Sequence, residues 1–129
     1  VIVVDSSAWI GLLRGDRSPQ VDRLRGLEDT QNVLVGDIVL LEILRGTRSD
    51  QQAHAIETKL RRFAIARMLS PALAREGAAH YRDLRARGIT IRKTPDLIIA
   101  TYCIANRHRL LHQDRDFEPF VAHCGLLLA

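Results

Sequence analysis

The chain has 129 residues, with 19 Lys and Arg against 15 Asp and Glu, for a formal net charge of +4. That length is expected to fold as one domain over residues 1–129, since domains typically run to roughly 100–200 residues. With 47% hydrophobic and 26% charged residues it is globular in composition, which excludes a disordered chain.

In chain order, Val1–Val4 is a β-branched run ending at Asp5, and Ser6 and Ser7 lead into a short helix over Ala8–Leu13. Ser18 followed by Pro19 gives an N-cap and first-turn proline for a helix to about Glu28. Val33–Val35 reads as a second buried strand. Asp37 can cap a helix to Arg45, closed by Gly46, and Ser49 can cap a long amphipathic helix over Gln51–Arg67. Ser70 and Pro71 repeat the start signal for Ala72–Arg87, which Gly88 stops. Ile89–Ile91 is a short β-branched run, a strand or an extended approach. Thr94 and Pro95 open an apolar helix over Asp96–Asn106, and Arg109–His112 and Leu126–Leu128 are the last two strand candidates.

Short apolar strands separated by helices imply βαβ crossovers and a mostly parallel sheet covered on both faces. The expected architecture is a three-layer α/β/α domain. The long helix and the one after it, over Gln51–Arg87, form either a protruding arm or a packed layer. Cys103 and Cys124 sit in apolar runs and suit a reducing compartment, and no apolar run approaches the roughly 18 residues of a membrane span. No signal-peptide pattern opens the chain, so a cytoplasmic location is expected.

The informative carboxylates are those with apolar neighbours. Asp5 follows the first strand, and ligands of open α/β sheets collect beyond the carboxyl ends of strands; capping the next helix is its other reading. Glu42 is enclosed by Ile38–Leu41, Ile43 and Leu44 on a helix with no polar face, so it must meet a cleft, a partner, or Arg45 one turn on. Asp96 lies in the first turn of an apolar helix, where the dipole favours an anion. Asp114 and Asp116 form a DRD turn after a later strand, in the position Asp5 holds after the first. These are all oxygen ligands, while His54, His80, His108, His112 and His123 are scattered and read as surface or structural. Oxygen donors suit Mg²⁺ or Mn²⁺, and such an ion relieves the repulsion among gathered carboxylates. One or two ions of that kind activate water and stabilise the leaving oxygen in phosphodiester hydrolysis.

The segments VIVVDSSAWI, GDIVLLEILRG and KTPDLIIATYCIANRHRLLHQDRDF, in that order, resemble the PIN-domain fold, and within it the VapC-type ribonuclease toxins of bacterial toxin–antitoxin pairs. The resemblance implies a Mg²⁺- or Mn²⁺-dependent endoribonuclease, inhibited by a cognate VapB-type antitoxin and usually a homodimer. It matches Asp5, Glu42, Asp96 and Asp114 to an acidic quartet and Asp116 to a fifth carboxylate. On this reading Asp5, Asp96, Asp114 and Asp116 are metal ligands, with the order of Asp114 and Asp116 left open. Ser6, beside the first Asp, would orient a ligand or a water.

Two other readings compete. A DxD phosphatase places its pair early with a Thr two residues on, whereas here the pair is late and followed by Phe117 and Glu118. A non-catalytic RNA- or DNA-binding regulator accounts for 17 Arg against only Lys59 and Lys93, but leaves Glu42 and Asp96 idle. Aromatics are 5% of the chain, too few for a stacking platform, so RNA grip should come from phosphate contacts. Arg92, Lys93 and Arg115 are the candidates at the cleft rim. The amphipathic helices Pro19–Glu28 and Gln51–Arg67, with Trp9, are expected to offer a groove for an antitoxin segment.

Overall fold

The computed structural model describes residues 1–27 and 30–129. Five parallel strands, β1 (Ile2–Val4), β2 (Val33–Gly36), β3 (Ala64–Ala66), β4 (Arg109–Leu111) and β5 (Leu127–Leu128), form one sheet in the order β3-β2-β1-β4-β5. Seven α-helices lie between or beside them among the described residues: α1 (Ser6–Arg14), α2 (Pro19–Arg25), α3 (Asp37–Arg45), α4 (Asp50–Leu60), α5 (Pro71–Ala86), α6 (Thr94–Asn106) and α7 (Glu118–His123). Crossovers run outward from β1 to β3, then return past β1 to β4 and β5. With right-handed connections, the first four helices cover one face and the last three the other, the expected three-layer arrangement. None of the described helices is long and apolar enough to cross a membrane.

Local chemistry sets most helix starts. Ser18, Ser49 and Ser70 each accept the backbone N–H three residues on, at 3.1, 3.1 and 3.2 Å, as the sequence predicts. Gly15 closes α1 with φ 78°, a left-handed turn that favours glycine. Asp37 is not the cap of α3: Gly36 takes that place, and Asp37 Oδ1 accepts from Ile38 N at 2.8 Å and from Met68 N at 3.2 Å. Lys93, rather than Thr94, occupies the cap position of α6.

One helix boundary needs correction, and two open alternatives are resolved. The helix expected over Gln51–Arg67 ends at Leu60, and Ala64–Ala66 is instead the edge strand β3, in register with Leu34–Gly36. Helix-forming Ala and Arg give way there because β2 has an open edge to pair, and because Phe63 packs edge-on against Trp9, centroids 5.2 Å apart. The run Ile89–Ile91 is no strand; Ile89 N–H returns to Leu84 O at 2.9 Å and the segment leads extended into α6. Both sheet edges are already held by β3 and β5. Between β4 and β5 the chain forms a 3₁₀ turn (Arg115–Phe117) and α7, which bury Phe117 and Phe120 completely. The second helix ends at Arg25, and the Glu28 end expected for it lies outside the described residues. α5 packs against α6, so it is a layer and not an arm.

The core joins Val3, Val4, Val33, Val35 and Leu110 of the sheet to Val39, Ile43, Ile99 and Cys103 of the helices. Met68, fully buried, passes directly under Gly36, where a β-carbon would overlap its Sδ and lie 2.6 Å from its Cε. Gly36→Ala must therefore displace Met68 and disturb the β2–β3 edge. Such overpacking is expected to cost about 1–3 kcal/mol in urea melts, and Gly36→Ala combined with Met68→Ala should lose less than the sum of the two single losses. An unchanged midpoint in the single variant would contradict this packing.

Candidate metal centre at the carboxyl end of the sheet

The strand order reverses between β1 and β4, and a crevice opens at such a point beyond the carboxyl ends. Asp5 stands there after β1. Its N–H donates to Leu111 O at 2.9 Å, extending the β1–β4 pairing by one rung. Its carboxylate Oδ2 caps α1, accepting from Ser7 N at 3.0 Å and from Ser7 Oγ at 2.6 Å. Capping and site placement thus coexist, one on each oxygen: Oδ1 is buried with no protein partner.

Asp96 enters from the first turn of α6, whose apolar residues Ile99, Ala100 and Cys103 are buried in the core. It is 4% exposed, and its Oδ2 is likewise buried and unpartnered. Glu42 comes from α3, with Ser6 Oγ donating to Oε1 at 3.2 Å; Arg45 is 3.9 Å from Oε2. The within-helix pair exists, yet the shorter contact points to the crevice. Asp114 follows β4. Its N–H donates to His112 Nδ1 at 3.0 Å, and its Oδ1 accepts from Asp116 N at 2.9 Å.

The structure therefore brings Asp5, Glu42, Asp96 and Asp114 into one electrostatic neighbourhood from four elements. Asp96, Asp114 and Asp116 can each offer an oxygen within 4.8 Å of the others. Asp114 is the better sheltered of the late pair, its side chain 21% exposed against 51% for Asp116. Ser6 orients Glu42 rather than facing Asp5. Arg92, Lys93 and Arg115 line one open cleft of about 670 Å³ together with Asp96 and Asp116. Lys93 is also tied to the carboxylates, its Nζ donating to Asp114 Oδ2 at 2.9 Å and lying 3.2 Å from Asp116 Oδ2.

Sequence reading missed three supporting groups. Ser7 Oγ also accepts from Gln113 N at 3.0 Å, pinning the loop after β4 to the start of α1. Gln113 Nε2 donates to Ser7 O at 3.2 Å. His112, stacked at 4.9 Å on Phe117, is held toward its neutral form by burial, which leaves Nδ1 free to accept from Asp114. Adjacency to Asp5 and Asp114 was the only sequence signal for any of them.

Charge and burial work against ionisation here. Burial, then the charges of Asp5 and Asp114, push the Asp96 carboxyl up to about 7. Burial also raises Asp5 and Glu42, with Asp5 adding to Glu42. Asp114 alone among these moves down: burial raises it, but the Asp116 N–H and the Lys93 ammonium outweigh that. An unpaired oxygen on each of two buried carboxylates, among others that repel them, is a donor set that fits a hard divalent cation.

A raised Asp96 means that the folded chain holds a proton between about pH 4 and 7 that the unfolded chain releases. Metal-free stability should then fall as pH rises through that window. Asp96→Asn should flatten the dependence and raise the melting temperature at pH 7.5 by roughly 3–8 °C, about 1–2 kcal/mol. Parallel melts of both proteins in EDTA from pH 5 to 8 test this, and identical slopes would refute it.

A family model for the PIN domain matches residues 2–120. Ribonuclease VapC11 of Mycobacterium tuberculosis is 28% identical over 120 residues, covering 92% of this chain and 90% of that protein. Among solved structures, VapBC2 from Rickettsia felis, bound to a DNA fragment from their promoter, aligns with a TM-score of 0.79 at 19% identity, over 99% of this chain and 96% of that one. VapC20 of Mycobacterium tuberculosis, a sarcin-ricin loop cleaving toxin, aligns with a TM-score of 0.67 at 16% identity, over 95% of each chain. At those structural identities the likeness speaks to the fold alone. The family match, running from β1 into α7 and taking in all five carboxylates, places this chain in the PIN-domain family.

Proposed function

We propose that this chain is a divalent-metal-dependent endoribonuclease, the toxin of a toxin–antitoxin pair, and that residues 1–129 form one nuclease domain. The observation that carries the reading is the convergence of Asp5, Glu42, Asp96 and Asp114 with buried oxygens left unpartnered on Asp5 and Asp96. A non-catalytic RNA-binding module needs no such cluster, and it would carry the cost of burying those carboxylates without return.

In the proposed site Asp5 and Asp96 hold the principal ion, with Asp114, Asp116 and Glu42 completing its shell or holding a second. Mg²⁺ or Mn²⁺ suits this oxygen set. When bound, the ion supplies a nucleophilic water at neutral pH and stabilises the leaving oxygen. The chain's own residues do the rest. Ser7 fixes the direction of Asp5, Ser6 that of Glu42, and the Asp116 N–H that of Asp114, whose backbone His112 holds. Asp96 would have to give up its proton to hold a cation, so affinity should weaken below about pH 7. Glu42, raised in pKa and held by Ser6, would take the proton that the attacking water sheds. Arg92, Lys93 and Arg115 take the RNA phosphates at the rim.

RNA incubated with Mn²⁺ should be cut to leave 5′-phosphate and 3′-hydroxyl ends. Asp5→Asn or Asp96→Asn should each lower the rate by about 100-fold or more. Cleavage that persists in EDTA, or in either variant when folded, excludes the mechanism.

For partners, we infer a VapB-type antitoxin and a second copy of the chain. A groove of about 290 Å³ between α1, α2 and α4 is lined by Trp9, Leu13, Leu24, Ile56 and Phe63, with Arg25 and Arg62 among its basic residues. It is the groove the amphipathic helices were expected to form, and it suits an apolar segment with acidic flanks. The apolar groove of about 530 Å³ between α5 and α6, lined by Leu69, Leu73, Leu97 and Ile98, supports self-association. Leu13 is 41% exposed in the first groove. Leu13→Asp should weaken antitoxin binding at least about tenfold by calorimetry without lowering the melting temperature. Undiminished binding would move the antitoxin elsewhere.

A further inference from the structure

Lys93 is one of only two lysines in a chain of 17 arginines. Its ammonium rests on Asp114 Oδ2 at 2.9 Å and Asp116 Oδ2 at 3.2 Å. Those carboxylates, with Asp96, are the trio whose oxygens come within 4.8 Å of one another. A Mg²⁺ ion takes carboxylate oxygens at about 2.0–2.1 Å, the kind of acceptor the ammonium now engages on both residues. Two cations sharing one oxygen also repel, so the ammonium and the ion exclude each other at Asp114.

Those two contacts hold the ammonium of Lys93, and the stem that carries it is otherwise open to solvent. Its side chain is 54% exposed, and its backbone sits in the extended cap position before α6, at φ −113° and ψ 112°. Rotation about its own flexible stem releases the ammonium without moving the helix. Lys93 already lines the cleft that Arg92 and Arg115 share, so release turns it within that space. Arginine at residue 93 would instead bridge two carboxylates with a planar fork and leave less readily.

We propose that Lys93 is an internal placeholder for the metal. It neutralises Asp114 and Asp116 while the ion is absent, is displaced as the ion binds, and then joins Arg92 and Arg115 facing RNA phosphate. Metal loading and phosphate grip are thereby coupled through one side chain. This rests on the metal-nuclease reading above.

Two lysines make the test direct. In protein carrying ¹³Cε-lysine, with the Lys59 signal assigned from Lys59→Arg, Mg²⁺ should shift the Lys93 resonance saturably and leave Lys59 in place. Calorimetry with Mn²⁺ should give about tenfold tighter binding in Lys93→Met, because a competitor that holds most molecules closed has been removed. Lys93→Arg should bind no tighter than the unaltered chain. A Lys93 resonance that stays still while Mg²⁺ binds, or Lys93→Met that binds Mn²⁺ no tighter, overturns the inference and leaves the nuclease reading standing. No divalent binding to the unaltered chain overturns both. Should Lys93→Met fail to fold, the resonance titration on the unaltered sequence decides.

Discussion

The hydrogen bond from Asp5 N to Leu111 O, at 2.9 Å, is the constraint on which the site depends. It carries the β1–β4 pairing one residue past Val4, so that the residues leaving the two strands are neighbours. Parallel register does the rest: Val4 lies opposite Leu111, so Asp5 and the loop carrying Asp114 emerge side by side. Ser7 then closes the arrangement, giving its hydroxyl hydrogen to Asp5 and accepting from Gln113. A slip of one residue in that register would exchange the strand's two buried faces, on which Val3 and Val4 lie, and part Asp5 from the loop that carries Asp114, so core packing and carboxylate placement are set by one alignment.

Having gathered the carboxylates, the fold must tolerate them. Some of the tension is met by protons, since burial and mutual repulsion push Asp96 up to about 7. Some is met by cations, Lys93 on Asp114 and Asp116 and Arg45 beside Glu42. The N-terminal turn of α6 adds a favourable dipole for Asp96. Polar neighbours are spent on direction: Ser7 fixes Asp5 and leaves its Oδ1 open, Ser6 fixes Glu42, and His112 holds the backbone of Asp114. Buried acceptors with no donor are what a structure optimised for stability alone would remove.

The chain's charge looks different once it is placed in space. With the five proposed site carboxylates set aside, 19 bases face ten remaining acids. The net +4 is thus the sum of an acidic crevice and a basic surround. Such a field draws a polyanion and a divalent cation to adjoining places. Arg92 and Arg115 at the cleft, and Arg25 and Arg62 at the Trp9 groove, divide part of the surround between two separate surfaces.

The sequence by itself determined the α/β class, four of five strands, the serine-capped helix starts and the candidacy of Asp5, Glu42, Asp96 and Asp114, which the fold brings together. These were legible because caps and strand runs are local, and because Glu42 among aliphatic residues has no ordinary explanation. Only the tertiary structure decided the rest. Ala64–Ala66 became a strand because β2 had an unpaired edge and Phe63 found Trp9. Ile89–Ile91 did not, because both edges were taken. The partners of Asp5 and Glu42 are settled by which hydroxyl the first turn of α1 aims where, and the shelter of Asp114 over Asp116 by the 3₁₀ turn that follows β4. Composition and spacing record which groups a chain owns; distance, burial and the competition of neighbouring charges arise only when remote segments share one crevice.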